Sequence, residues 1–140
     1  MLAVLATSLL SCGLFCEQAH AVSGSVLFSG GASASGASGA GTTTITFANP
    51  WTVIGADGDY TGTEGSLATF TNFSFTGTGT GATLIGTVIP EWTFSFGGNT
   101  YSFDLLSLLT GTTTTGSIAL SGTGIAYING GDATAANWSF

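Results

Sequence analysis

The sequence predicts an all-β domain, an antiparallel β-sandwich or jelly-roll-like fold of about seven to nine short strands joined by Gly/Ser/Thr-rich loops. Three observations point there. No segment keeps a helical apolar period for more than two turns, and Thr, Ser, Gly, Val, Ile and aromatic residues dominate. These residue types suit pleated, half-buried surfaces and tight turns. Alternating runs such as Glu91-Trp92-Thr93-Phe94-Ser95-Phe96 flank glycine-rich turn signals. Finally, 44% of the 140 residues are apolar and 11% aromatic, enough to fill the core of one domain at this length.

Met1 to Leu14 is an apolar stretch of small and aliphatic residues, too short for the roughly 20 residues that cross a bilayer. Ala19-His20-Ala21 then supplies the small residues a signal peptidase needs, so residues 1–21 are expected to be a secretory signal peptide cut after Ala21. The usual basic start is missing from it. An alternative uses Leu9-Leu10-Ser11-Cys12 as a lipobox, although Leu10 stands where a smaller residue is usual. Residues 22–41 are expected to hold one N-terminal strand and a flexible segment, because Gly31 to Gly41 contains only Gly, Ala and Ser. Such a segment buries too little to offset its ordering entropy.

The sandwich domain is placed at residues 42–140. Thr42 to Ala48 reads as a strand broken by Asn49-Pro50, and Trp51 to Ile54 as a short apolar run. Asp57-Gly58-Asp59-Tyr60 is a turn. Ser66 to Phe75 alternates with a phase shift, and a bulge near Thr71-Asn72 would bring Phe70, Phe73 and Phe75 onto one face. A short strand from Thr83 is expected to stop at Pro90. Beyond it, a hairpin turning at Gly98-Asn99 would set Phe96 opposite Tyr101, Phe94 opposite Phe103 and Trp92 opposite Leu105. The run Leu105 to Leu109 fits a helical turn or a buried strand equally well, and Thr110 to Gly116 reads as a loop. Ser117 to Ile128 is a long strand in which Gly122 and Gly124 suggest a bend or a close backbone approach. Trp138 and Phe140 are in phase on a last strand.

Charge excludes several function classes. The chain has seven acids, no Lys, no Arg and one His, for a formal charge of −7. It has no means of neutralising phosphates, so neither nucleic acid nor an anionic membrane surface is an expected partner. A lysine-dependent phosphate loop cannot be built. Cys12, Cys16 and His20 all precede Val22, so Ser-His-Asp and Cys-His catalysis are not expected of the mature chain.

Six carboxylates remain, Asp57, Asp59, Glu64, Glu91, Asp104 and Asp132. A glycosidase would need two of them facing one cleft about 5–9.5 Å apart. No spacing pairs them, so no catalytic, cofactor or metal residue is assigned, and a non-enzymatic role is expected. Asp57, Asp59 and Glu64 could offer oxygens to Ca²⁺, but Ala68 stands where an EF-hand loop needs its bidentate Glu. Ordinary turn chemistry explains the same residues. Asn72 and Asn137 begin N-x-[ST] acceptors. Trp51, Trp92 and Trp138 are candidate platforms for sugar stacking, with Trp51 the least committed to a core.

The stretch Phe47–Phe140 resembles bacterial exported proteins of the PEP-CTERM, exosortase-sorted class. The resemblance is carried by Tyr60-Thr61-Gly62, Thr69 to Phe75, Trp92-Thr93-Phe94, Tyr101 to Leu105, Leu120 to Gly124, and Gly131-Asp132-Ala133-Thr134 before Trp138-Ser139-Phe140. No Pro-Glu-Pro, apolar helix or Arg cluster follows, so the sequence stops before such a signal or belongs to an anchorless relative. The resemblance implies export, an envelope or cell-surface location, and association with the exosortase system and extracellular polysaccharide. It carries no catalytic residues. The function expected is therefore a secreted structural or matrix component; the alternative is a carbohydrate-binding or adhesion module, calcium-assisted through Asp57, Asp59 and Glu64.

Overall fold

The computed structural model describes residues 21–36, 41–114 and 116–140. Among the described residues nine antiparallel strands form one open sheet: β1 (Val26–Gly36), β2 (Thr42–Ala56), β3 (Leu67–Phe70), β4 (Phe73–Thr76), β5 (Thr83–Leu84), β6 (Val88–Phe96), β7 (Asn99–Thr114), β8 (Ser117–Ile128) and β9 (Thr134–Ser139). One turn of 3-10 helix, Gly58–Tyr60, follows β2. The all-β, antiparallel, sandwich-like fold is thus the one the sequence predicts.

β2 is the spine. Along one side it pairs with β1, and along the other with β4 near Thr43 and β3 near Trp51. From β3 the sheet continues through β6, β7 and β8 to β9. The sheet curls so that its two ends cover one aromatic core. Phe28 of β1 meets Phe70 and Trp92, each with ring centroids 5.1 Å apart, and Phe140 meets Phe47 at 5.8 Å. Ile45, Val53, Phe75, Phe103 and Leu105 fill the centre.

Several boundaries differ from the expectation, each for a physical reason. Several strands are long: β2 has 15 residues and β7 has 16. Asn49-Pro50 does not end β2. The Asn49 side-chain amide donates to the Phe70 carbonyl (2.8 Å) and accepts the Phe70 N–H (2.7 Å), standing in for the lost backbone rungs. The segment Gly31–Gly36, expected to be flexible, is paired residue by residue with β2 down to Gly36 opposite Thr43. Its small side chains weaken packing, but the ladder to a long neighbouring strand supplies backbone partners. Residues 37–40 of that expectation, and the signal segment before Ala21, lie outside the described residues.

The hairpin register also moves. Gly97 and Gly98 form the turn with φ of +59° and +87°, which suits a type I′ turn. Phe94 therefore faces Tyr101, Trp92 faces Phe103 and Leu105 faces Val88. The slip is of even length, so Trp92, Phe94, Tyr101, Phe103 and Leu105 all keep the core face. Leu105–Leu109 and Thr110–Thr114, the first ambiguous and the second expected to be loop, both belong to β7.

Two expectations about packing hold. Phe70, Phe73 and Phe75 are buried together, although the chain breaks at Thr71-Asn72 into β3 and β4 rather than bulging within one strand. Gly124 is a close approach: a Cβ there would fall on the Asp104 carbonyl and the Phe103 ring.

Candidate functional site

Three places in this fold concentrate polar or aromatic groups that chemistry could use. The first is a groove between the sheet's two ends. Among the described residues β1 pairs only with β2, and β9 only with β8. Where these edges fail to meet, a groove of about 760 Å³ opens onto the aromatic core. Trp51, Tyr60, Trp92 and Trp138 form part of its lining, with Ser25, Ser29, Asn137 and Ser139 among its polar residues, and no Asp, Glu, His, Lys or Arg among the described residues lines it.

Trp51, the least core-committed of the three tryptophans by sequence, is buried like the others: it is 5% accessible, with Trp92 at 5% and Trp138 at 8%. Gly30 lies against the Trp51 indole so closely that any Cβ would overlap the ring. Phe70, Phe140 and Phe47 surround it with centroids at 4.9, 5.6 and 5.7 Å. A ring with several aromatic neighbours hides more apolar area than it can offer to a sugar face. The Trp51 indole nitrogen is nevertheless buried with no hydrogen-bond partner.

The second place is the acidic turn after β2. The Asp57 carboxylate accepts from the Ser25 N–H and, at 2.9 Å, from its hydroxyl. Asp59 accepts the Ser23 N–H at 2.7 Å. Glu64 is exposed. These carboxylates grip the chain leading into β1, and no group of three or more potential metal ligands occurs among the described residues. The structure therefore does not assemble Asp57, Asp59 and Glu64 into a calcium site. Beside this turn, Asp59, Asn99, Tyr101 and Asp132 contribute to a recess of about 370 Å³.

The third place was missed from sequence. Glu91 is wholly buried (0% accessible). Burial pushes its carboxyl up to about 8; the Trp138 indole offsets part of this. Neither Oε1 nor Oε2, however, reaches a partner at hydrogen-bonding distance and angle. Burial without full pairing favours the neutral acid. The cause is local: the register shifts between Val88 and Trp92, so Glu91 and Trp92 both turn inward where strict alternation would send one out. The signal was Pro90, since proline inside a strand marks a bulge.

The remaining residues stay apart. Asp104 is half-buried, its carboxyl raised by desolvation. Asp132 is exposed at the turn before β9. Asn72 spends its side-chain oxygen on the Phe47 N–H at 2.8 Å, and Asn137 is exposed on β9. Tyr60 is pushed up to about 12 by burial, then by the neighbouring Asp59 and Tyr101. No family model, curated protein or solved structure matches the chain.

Proposed function

We propose that this chain is a secreted or cell-surface, non-enzymatic structural protein of a bacterium, associated with the envelope or extracellular polysaccharide and similar to the PEP-CTERM class. The observation that carries this reading is the commitment of Asp57, Asp59 and Glu91 to architecture. Asp57 and Asp59 bind the backbone of Ser25 and Ser23, and Glu91 is sealed in the core. Most of the described aromatic residues form one packed interior. An A-x-A motif at Ala19-His20-Ala21 supports export.

Fractionation of the producing cells tests this. The protein is expected in the medium or envelope without its leader, and soluble cytoplasmic protein retaining Met1 would sink the reading. Sorting by exosortase has a separate test. Coding sequence continuing past Phe140 into Pro-Glu-Pro, an apolar helix and an Arg cluster would support it, and a stop codon there would defeat it.

One observation favours a second reading, a carbohydrate-binding module. The groove between β1 and β9 has no charged side chain among its described lining residues and has hydroxyl and amide groups there. A neutral glycan would suit it. Tryptophan fluorescence titrated with neutral oligosaccharides should then saturate, and Asn137→Ala should weaken the response; a flat titration removes this reading.

A further inference from the structure

We infer that the α-ammonium set free at Val22 is itself a structural group of the mature domain, docked on Thr134 beside Asp59. The inference rests on the export reading, because it requires the Ala21–Val22 bond to be cut. In that step an endopeptidase adds water across the bond. The C–N bond breaks, Ala21 leaves with the leader as a carboxylate, and the Val22 nitrogen takes up protons to become an ammonium.

The geometry begins at that atom. The Val22 nitrogen donates to Thr134 Oγ1 at 2.8 Å, bridging to β9. The Val22 side chain is half-buried and packs on the core. The next residue is stitched on both sides: Ser23 N–H donates to Asp59 Oδ2 at 2.7 Å, and the Asp59 N–H donates to the Ser23 carbonyl at 2.8 Å. Ser25 and Asp57 repeat the pattern two residues on. The chain is therefore held from the first atom that follows the expected cut.

Cleavage changes that atom's chemistry. As a peptide nitrogen it has one proton, already given to Thr134; as an ammonium it has three and carries charge. Between Val22 and Phe140 there is no Lys, Arg or His, so this terminus would be the only cation of that stretch. The titratable groups on the elements around it are Asp57, Asp59 and Tyr60 from the turn after β2, Tyr101 from β7 and Asp132 from the turn before β9. Asp59 and Asp132 line one recess, and Asp132 stands two residues before Thr134. A lone positive charge among carboxylates holds its proton to higher pH than the about 7.7–8.0 of a free chain end.

The stability this gives is fully present below that ordinary value. It disappears as pH rises through the higher folded value.

The test exploits the composition. With no lysine in the chain, an amine-acetylating reagent has one amine to modify on the secreted protein. Intact mass and N-terminal sequencing should give Val22 as the first residue and one added acetyl group. At pH 6.5 the acetylated protein should melt roughly 3–6 °C below the untreated one. The gap should close above about pH 10, where the free terminus is neutral, and Thr134→Val should shrink it at pH 6.5.

A gap that persists unchanged at high pH would mean only steric disturbance and would overturn the docking. Equal melting at pH 6.5 would overturn it too. A mature terminus at any other residue overturns the inference while leaving export intact, whereas recovery only of protein starting at Met1 removes both.

Discussion

Two strands of this sheet contain a proline, and the sheet repairs the two interruptions differently. At Asn49-Pro50 the repair is neutral and complete. Asn49 exchanges two hydrogen bonds with Phe70, and Asn72 caps the Phe47 N–H, so side-chain amides replace the missing rungs between β2 and β3/β4. At Ile89-Pro90 the backbone is repaired, with Thr71 donating from its N–H to the Glu91 carbonyl and from its hydroxyl to the Pro90 carbonyl. The accompanying bulge turns the Glu91 carboxyl into the core without a hydrogen-bond partner. An amide can substitute for a peptide because it offers both donor and acceptor in one plane. A buried carboxyl that lacks a full set of donors is accommodated by keeping its proton.

The largest expected effect breaks this comparison at Glu91. Its folded value of about 8 lies above the ordinary 4.5, so between those two values the native state holds a proton that the unfolded chain has lost. Stability therefore falls as pH rises through that window and levels off above it. The span corresponds to a loss on the order of 5 kcal/mol. Glu91→Gln keeps the shape without an ionisable group, so its urea midpoint should be nearly level from pH 4.5 to 8. The variant should exceed the native protein most at pH 8 and above. Parallel pH profiles for the two proteins would show that Glu91 is ionised at no cost, and the contrast between the two prolines would collapse.

The opposite end of the comparison sharpens with Asn49→Ala. Removing both bonds to Phe70 leaves an N–H and a carbonyl to find water at the junction of β2 and β3. At about 1 kcal/mol per neutral bond, the loss should be about 2 kcal/mol, with no change between pH 5 and 8. Asn72→Ala removes one bond to Phe47 and should cost about half as much. Chemical denaturation at two pH values measures all three variants. A pH-dependent loss in either asparagine variant would mean these repairs are coupled to the Glu91 carboxyl after all.

The same contrast explains what could be read from the sequence. Alternation in Trp92–Ser95 and Tyr101–Leu105 gave those faces of β6 and β7 correctly, because period-two patterning survives an even slip of register, but it sent Glu91 to the wet face and Phe96 to the core, and the structure has both the other way. The turn itself depended on which two residues of Gly97-Gly98-Asn99 take positive φ, a choice that glycine leaves open locally. Pro50 and Pro90 read as stops because a strand cannot keep its own ladder there. Whether a side chain from a distant residue restores it is a tertiary fact, invisible in Asn49 or Asn72 alone. The Gly31–Gly36 segment was misjudged likewise: its composition says little of the 15-residue strand waiting beside it. At the candidate sites, Asp57 and Asp59 read correctly as turn carboxylates, but their partners Ser23 and Ser25 lie more than 30 residues earlier. Trp51 seemed uncommitted because Gly30, which covers it, belongs to another strand.

The smallest effect concerns carboxylates in a setting opposite to that of Glu91. Asp57 is exposed and already holds the Ser25 N–H and hydroxyl. Water competes for these groups, so Asp57→Ala should cost only about 1 kcal/mol of global stability. Its effect should instead be local, because the Ser25–Asp57 and Ser23–Asp59 pairs are what fasten the entry to β1. Amide exchange should accelerate at Val26, Leu27 and Phe28 while Leu105 and Phe103 in β7 keep their protection. If exchange instead accelerates equally across the sheet, the acidic turn supports the whole core. Glu91 and Asp57 would then differ in burial but not in reach.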